Sequence, residues 1–218
     1  MNRYKKNLKL LTKNRVYSKE MEHDACGVGV IASTEGKKSR SIVEQGIQAL
    51  KAVWHRGAVD ADGKTGDGAG IHVEIPKDFF IEKIEVTGHD YDNSEICVGM
   101  IFLPRNDYAA QESCKTIVES ELTKNNFSIY GWRQVPVNPK ILGEKAFQTM
   151  PEIIQVLFKS NDKNLLDKNL ERKIYETRKR IENKAFEASL GNFYICSISS
   201  KSIIYKGLYL AENISDFY

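Results

Sequence analysis

Long apolar runs are missing from this 218-residue sequence. None approaches the roughly 18 consecutive residues that cross a bilayer, so no membrane partner is expected. Cysteine is sparse and poorly spaced for metal or disulfide work. Cys26, Cys97, Cys114 and Cys196 include no C-x-x-C pair, which argues against a zinc site or iron–sulfur cluster in this segment. Their wide spacing in a chain this long does not read as a disulfide framework, and a reducing, cytoplasmic setting follows as the expectation. Charge of one sign is also lacking. The 32 basic and 29 acidic residues leave a net charge of +3, too little to point to nucleic acid or acidic lipid as a partner. No internal repeat is visible. What remains, 41% hydrophobic and 28% charged, suits a soluble globular chain of one domain, or one and a part.

The first 25 residues differ from the rest. Arg3, Lys5, Lys6, Lys9, Lys13, Arg15 and Lys19 outnumber Glu20, Glu22 and Asp24, so this stretch carries the positive excess of the whole chain. Leu8, Leu10 and Leu11 fall far short of a signal-peptide core. By composition it reads as a solvated tail. The sharper alternative is a leader, residues 1–25, removed so that Cys26 becomes the first residue of a domain spanning 26–218.

Alternation and periodicity give the elements. Cys26 to Ala32 reads as a strand closed by a turn at Thr34-Glu35-Gly36, with Gly27 and Gly29 leaving room beside the thiol. A helix is expected from about Ser41, through a capping box of Ser41 and Glu44, with Val43, Ile47, Leu50 and Trp54 at helical spacing. Gly46 inside it suggests close packing against a neighbour. Positions 58–70 form a glycine-rich loop, and Gly70 to Ile75 a strand stopped by Pro76. Further strands are expected at Cys97–Leu103, Phe127–Val137 and Ile153–Phe158. Helices are expected at Asp107–Lys124 and Leu165–Leu190, the latter with Leu166, Leu170, Ile174, Ile181 and Ala185 inward and Gly191 ending it. Phe193–Ser199 and Ser202–Leu208 read as a hairpin about Ser200-Lys201. The order suggests an α+β fold of antiparallel sheet covered by helices.

A thiol becomes a nucleophile when a base takes its proton or its pKa is lowered. Cysteine at a chain start carries its own base, because an α-amine titrates at about 7.7–8.0. That is the cysteine form of the threonine–amine device. Residue by residue, blander readings stand beside this. A lone cysteine in an apolar strand is commonly a small buried hydrophobe, Arg56 is a surface cation, and the glycine loop is a bare turn. Gly66-Asp67-Gly68-Ala69-Gly70 makes a poor phosphate cradle, since no Lys-Ser/Thr pair follows and a strand rather than a helix comes next.

Asp24-Ala25-Cys26-Gly27-Val28-Gly29, Val43-Glu44-Gln45-Gly46, His55-Arg56-Gly57-Ala58 and Lys64-Thr65-Gly66-Asp67-Gly68-Ala69-Gly70-Ile71 together resemble the start of the class II glutamine amidotransferase domain of glutamate synthase large subunits. That domain is an N-terminal-nucleophile hydrolase. The resemblance continues at Gly131-Trp132-Arg133-Gln134-Val135-Pro136-Val137, Tyr194-Ile195-Cys196-Ser197-Ile198-Ser199-Ser200 and Ile204-Tyr205-Lys206-Gly207. It implies a four-layer αββα sandwich, incomplete in this chain. It also implies that Cys26 is the nucleophile toward the side-chain amide of L-glutamine, with its freed α-amine as base and then acid. Arg56 would sit beside the thiol, and His55, Gly57 and Gly27 would shape the site. The Asp67 loop would line its neighbourhood without a catalytic role.

No metal and no cofactor are expected in this segment. FMN, an iron–sulfur cluster, 2-oxoglutarate and a small FAD/NADPH-binding subunit are implied for the full subunit. The family's H-S-R-F-S-T-N-T and H-N-G-E-I-N segments, which grip glutamine and form the oxyanion hole, are absent from the sequence. An N-terminal piece of a longer protein is therefore expected, with little glutaminase activity of its own, since one lost oxyanion donor alone costs about 10²–10³ in rate. Another class II amidotransferase, a non-catalytic domain with Cys26 as a core thiol, and a Cys–His enzyme using His55 remain as alternatives.

Overall fold

A computed structural model describes residues 2–13, 26–53 and 57–218. The basic N-terminal region, read as a solvated tail, holds a helix, α1 (Asn2–Lys13), whose described residues are nearly all exposed.

Four strands form the central antiparallel sheet: β2 (Cys97–Leu103), β3 (Phe127–Gln134), β4 (Glu152–Ser160) and β5 (Tyr194–Ser199), in the order β3-β4-β2-β5. Alternate side chains leave a strand on opposite faces, and here both faces are covered. Val98 and Met100 of β2, with Ile153 and Leu157 of β4, enter one apolar cluster. Cys97, Ile101, Ile154, Val156 and Phe158 enter a second. This is why both strands read as continuous apolar runs.

Helices α4 (Tyr108–Lys124) and α6 (Asp167–Glu187) cover the second cluster, with Cys114, Val118, Leu122, Leu170, Ile174 and Ile181 buried in it. The helices are joined by Glu121, 4% exposed, whose carboxylate meets Lys184 Nζ at 2.5 Å. Asp107 caps α4, accepting from Ala110 N at 2.9 Å.

On the other face lies a two-stranded antiparallel sheet of β1 (Ala69–Glu74) and β6 (Ser202–Gly207), in register from Ala69↔Gly207 to Glu74↔Ser202. Helix α2 (Arg40–Ala52) packs on its outer side. A Cβ on Gly46 would stand 3.4 Å from Ile71 Cδ1, the close approach that its glycine suggested. The sequence of layers is helix, sheet, sheet, helix, the α+β sandwich expected. Helix α3 (Lys77–Val86) buries Phe80 and Ile84 between the layers. The short α5 (Glu144–Thr149) and α7 (Ile214–Phe217) complete the described α-helices.

Several local expectations are corrected. Residues 26–33 form no strand, and none of the six strands pairs with them. Helix α2 is capped by Ser39, not Ser41, since Ser39 Oγ accepts from Ile42 N. Glu44 pairs with Arg40 instead of closing a capping box. Leu166 stands outside α6 and is 57% exposed. That helix ends at Ala188, followed by Ser189 at φ 58, before Gly191 is reached.

Strands β5 and β6 do not make a hairpin ladder. β5 pairs with β2 and β6 with β1, so Ser200-Lys201 is a corner between sheets. Glu171 of α6 holds that corner, accepting from Ser199 Oγ (3.0 Å), Ser200 N (2.7 Å) and Ser200 Oγ (2.7 Å). Side chains replace the missing ladder. Ile204 N donates to Ser197 Oγ at 3.1 Å and Cys196 Sγ to Ile204 O at 3.5 Å.

Candidate active site

A cleft of about 1740 Å³ opens at the end of the β1–β6 sheet. Cys26, Gly27 and Gly57 all border it, so the structure brings together three of the five residues singled out from sequence. The other two, His55 and Arg56, lie outside the described residues, as does Trp54. A Cβ added at Gly29 would meet nothing within 4 Å, so there is open space after the thiol.

Cys26 differs from the other cysteines in kind. It is exposed, whereas Cys97, Cys114 and Cys196 are buried. Burial pushes the thiols of Cys114 and Cys196 up to about 11 and that of Cys97 higher still, which leaves them protonated and inert at neutral pH. The core-thiol alternative therefore describes three cysteines of this chain and not Cys26.

The glycine-rich strap 57–70 forms one wall. Val59 bridges to Gly66, Asp60 N donates to Thr65 O and Asp67 N to Ala58 O. Within the turn, Asp62 Oδ1 accepts from Lys64 N (2.9 Å) and Thr65 N (2.7 Å), while Oδ2 accepts from Thr65 Oγ1 (2.6 Å). These donors hold the Asp62 carboxyl down at about 2, the Thr65 hydroxyl contributing most. Two glycines let the strap press on its neighbours. A Cβ at Gly66 would meet the Tyr209 carbonyl oxygen at 2.6 Å, and Gly68 sits at φ 118. Asp67 and Gly68 then border the cleft.

The facing wall carries cations that the sequence reading missed. Arg105 follows β2, and its guanidinium lies 4.6 Å from the Phe147 ring centre. The Arg105 and Pro104 carbonyls accept from Gln111 Nε2, which fixes the turn. Lys206 of β6 donates to Tyr194 Oη at 2.7 Å. The only sequence signal for Arg105 is its place just past a buried strand and a proline, where strand-end loops carry functional groups. Among the described residues, no group of three His, Cys, Asp or Glu is placed to hold a metal. An iron–sulfur cluster needs converging thiolates, and the buried cysteines sit singly on β2, α4 and β5. The described residues therefore offer no donor set for such a cluster.

The site thus combines an exposed thiol bordering a cleft, a glycine strap beside it and two packed sheets behind. The family described as glutamine amidotransferases class-II matches residues 26–218, and this chain belongs to it. The chain is similar to the glutamate synthase [NADPH] large chain of Azospirillum brasilense, 53% identical over 215 residues, which is 99% of this chain and 14% of that protein. It is 40% identical over 199 residues to the ferredoxin-dependent glutamate synthase 1, chloroplastic/mitochondrial, of Arabidopsis thaliana, covering 90% of this chain and 12% of that protein. The ferredoxin-dependent glutamate synthase of Pyropia yezoensis is 37% identical over 214 residues. The chain thus spans 12–14% of the length of these relatives. No helix among the described residues is long and apolar enough to cross a membrane.

Proposed function

We propose that residues 26–218 are the glutaminase part of a glutamate synthase large subunit, and that Cys26 is its nucleophile, with residues 1–25 a leader removed beforehand. The observation that carries this is the pairing of two facts at one residue. Cys26 is the exposed cysteine bordering the cleft, and the family match begins at Cys26.

The chemistry needs a base beside the thiol, and the α-amine of a first-residue cysteine supplies it. The amine takes the Sγ proton as sulfur attacks the side-chain amide carbon of glutamine. It then returns that proton to the amide nitrogen, the C–N bond breaks and ammonia leaves, giving a γ-glutamyl thioester. Water, deprotonated by the same amine, cleaves the thioester to glutamate and restores the thiol. Arg56, His55, Gly57 and Gly27 shape the site around it. In the whole enzyme the ammonia would be used to convert 2-oxoglutarate to glutamate; FMN and an iron–sulfur cluster would carry the reducing electrons, delivered through a small FAD/NADPH-binding subunit or by ferredoxin. The compartment is cytoplasmic.

The test is ammonia release from glutamine by the complete polypeptide, with mass spectrometry of its N-terminus. The expected result is loss of Met1–Ala25 and abolition of activity in Cys26→Ser. An active polypeptide with the leader still attached overturns the mechanism. The isolated 218-residue chain is expected to release little ammonia, and robust release would refute the view that glutamine-gripping residues lie elsewhere.

A further inference from the structure

We propose that Asp62 is a positioning residue for the cleft at Cys26, because its carboxylate orders the strap's turn and fills the seam where two walls of that cleft pack together. This deepens the glutaminase reading and rests on it. One wall is the strap, which presents Gly63, Asp67 and Gly68. The other is the end of α5, which presents Gln148 and Met150. The two walls meet at Asp62, Thr65 and Gly143. Asp62 gathers the Lys64 and Thr65 N–H groups and the Thr65 hydroxyl. Across the seam, Gly143 at the start of α5 comes so close that a Cβ there would collide with Asp62 Oδ2. Gly143 has no side chain with which to cap α5 itself.

Gly143 shows how tight the seam is. A Cβ there would collide with Asp62 Oδ2 and Thr65 Oγ1 and stand 2.7 Å from Thr65 N. Thr65 is 6% exposed although it belongs to a surface turn. From this seam the chain passes to Gly66, which is wedged against the Tyr209 backbone, and at once to Asp67 and Gly68 on the cleft wall. A strap held at two points a residue apart has no slack. Loosening Asp62 therefore shifts the wall itself, and a misplacement of about 1 Å at a reacting centre costs up to about 100-fold in rate.

The test compares Asp62→Ala, Asp62→Asn and Lys145→Ala in the complete polypeptide with its leader removed, and by hydrogen exchange in the 218-residue chain. Asp62→Ala is expected to lower kcat/KM for glutamine by about 10- to 100-fold, chiefly through kcat. Asp62→Asn keeps an acceptor for the two backbone N–H groups and is expected to restore most of the loss. Lys145→Ala breaks only an exposed ion pair with Asp60 and is expected to stay near the native value. In the short chain, Asp62→Ala is expected to speed exchange at Lys64 and Thr65 while β2 and β4 keep their protection. Native kinetics in Asp62→Ala, with Cys26→Ser inactive, overturn the positioning role and leave the glutaminase reading standing. Glutaminase activity in Cys26→Ser overturns that reading itself. Loss of protection throughout β2 and β4 in Asp62→Ala overturns the proposal by making the residue a general structural support.

Discussion

Gly66→Ala isolates the wedge that sets the strap against the core. The added Cβ would stand 2.6 Å from Tyr209 O, 2.7 Å from Tyr209 C and 3.0 Å from Leu210 N, all of them backbone atoms that no rotamer change can move away. Tyr209 cannot retreat either. Its ring is 1% exposed and packs 5.2 Å from Phe217 and 6.4 Å from Tyr218 between ring centres. The strap must therefore swing outward by about 0.7–1 Å to reach an ordinary carbon–oxygen contact near about 3.4 Å. Overpacking of this kind costs about 1–3 kcal/mol. For a domain of this size each kcal/mol moves the thermal midpoint by about 2–4 °C, so a fall of about 2–12 °C is expected. Gly29→Ala and Gly191→Ala are the internal controls, because nothing lies within 4 Å of a Cβ at either position. They are expected to be neutral or up to about 1 kcal/mol stabilising, through the unfolded chain. Thermal denaturation followed by far-UV circular dichroism on the three variants decides it. A Gly66→Ala midpoint equal to that of Gly29→Ala would refute the account of the wedge.

Three further expectations follow from the burial pattern. Under native conditions a thiol reagent should modify Cys26 alone, with Cys97, Cys114 and Cys196 reacting only after denaturation, as peptide mapping of the labelled chain would show. Glu171→Ala strands the N–H of Ser200, which is 3% exposed, and should cost about 1–3 kcal/mol, read as a lower denaturant midpoint at unchanged slope. Stability should fall as pH rises from about 9 toward 11. The folded state holds the Cys114 and Cys196 protons up to about 11, while the unfolded thiols lose theirs near 9.0. A raised folded pKa stabilises fully below the ordinary value and ceases to do so above the folded one. Equal unfolding free energies at the two ends of that range would contradict the burial of these thiols.

Elements whose signal is periodic were legible before any coordinates. β2 and β4 are apolar on both faces because each lies between two packed layers, and α4 and α6 carry one apolar stripe each. α3 escaped notice because Pro76, read as a strand stop, is also its N-cap, and its buried side chains come down to Phe80 and Ile84. α5 escaped because a six-residue helix after Gly143 offers neither a capping side chain nor two full turns of pattern. The supposed hairpin failed for another reason. Alternation identifies β5 and β6 as strands but is silent on which edge each joins, and the Glu171 contacts that turn the corner come from another helix. At the site, Cys26, Gly27 and Gly57 were marked by local motif. Arg105, Lys206 and Asp62 matter only through neighbours distant in sequence, such as Phe147, Tyr194 and Gly143.

The corner at Ser200-Lys201 has a consequence for how the cleft is built. β5 delivers Tyr194 from the central sheet and β6 delivers Lys206 from the outer one, and the two side chains meet across the join. The strap reaches the same place from β1, pinned by Gly66 on Tyr209 and by Gly70 against Lys206. Tyr194, Lys206 and the strap are thus held by packing or hydrogen bonds between these two sheets. The residues 26–33 contribute no ladder to either sheet, and Cys26 itself is exposed. Scaffold stability and thiol chemistry are therefore carried by separable parts of the chain. Cleavage before Cys26, as proposed, would place the new α-amine at an exposed residue, next to the thiol it serves.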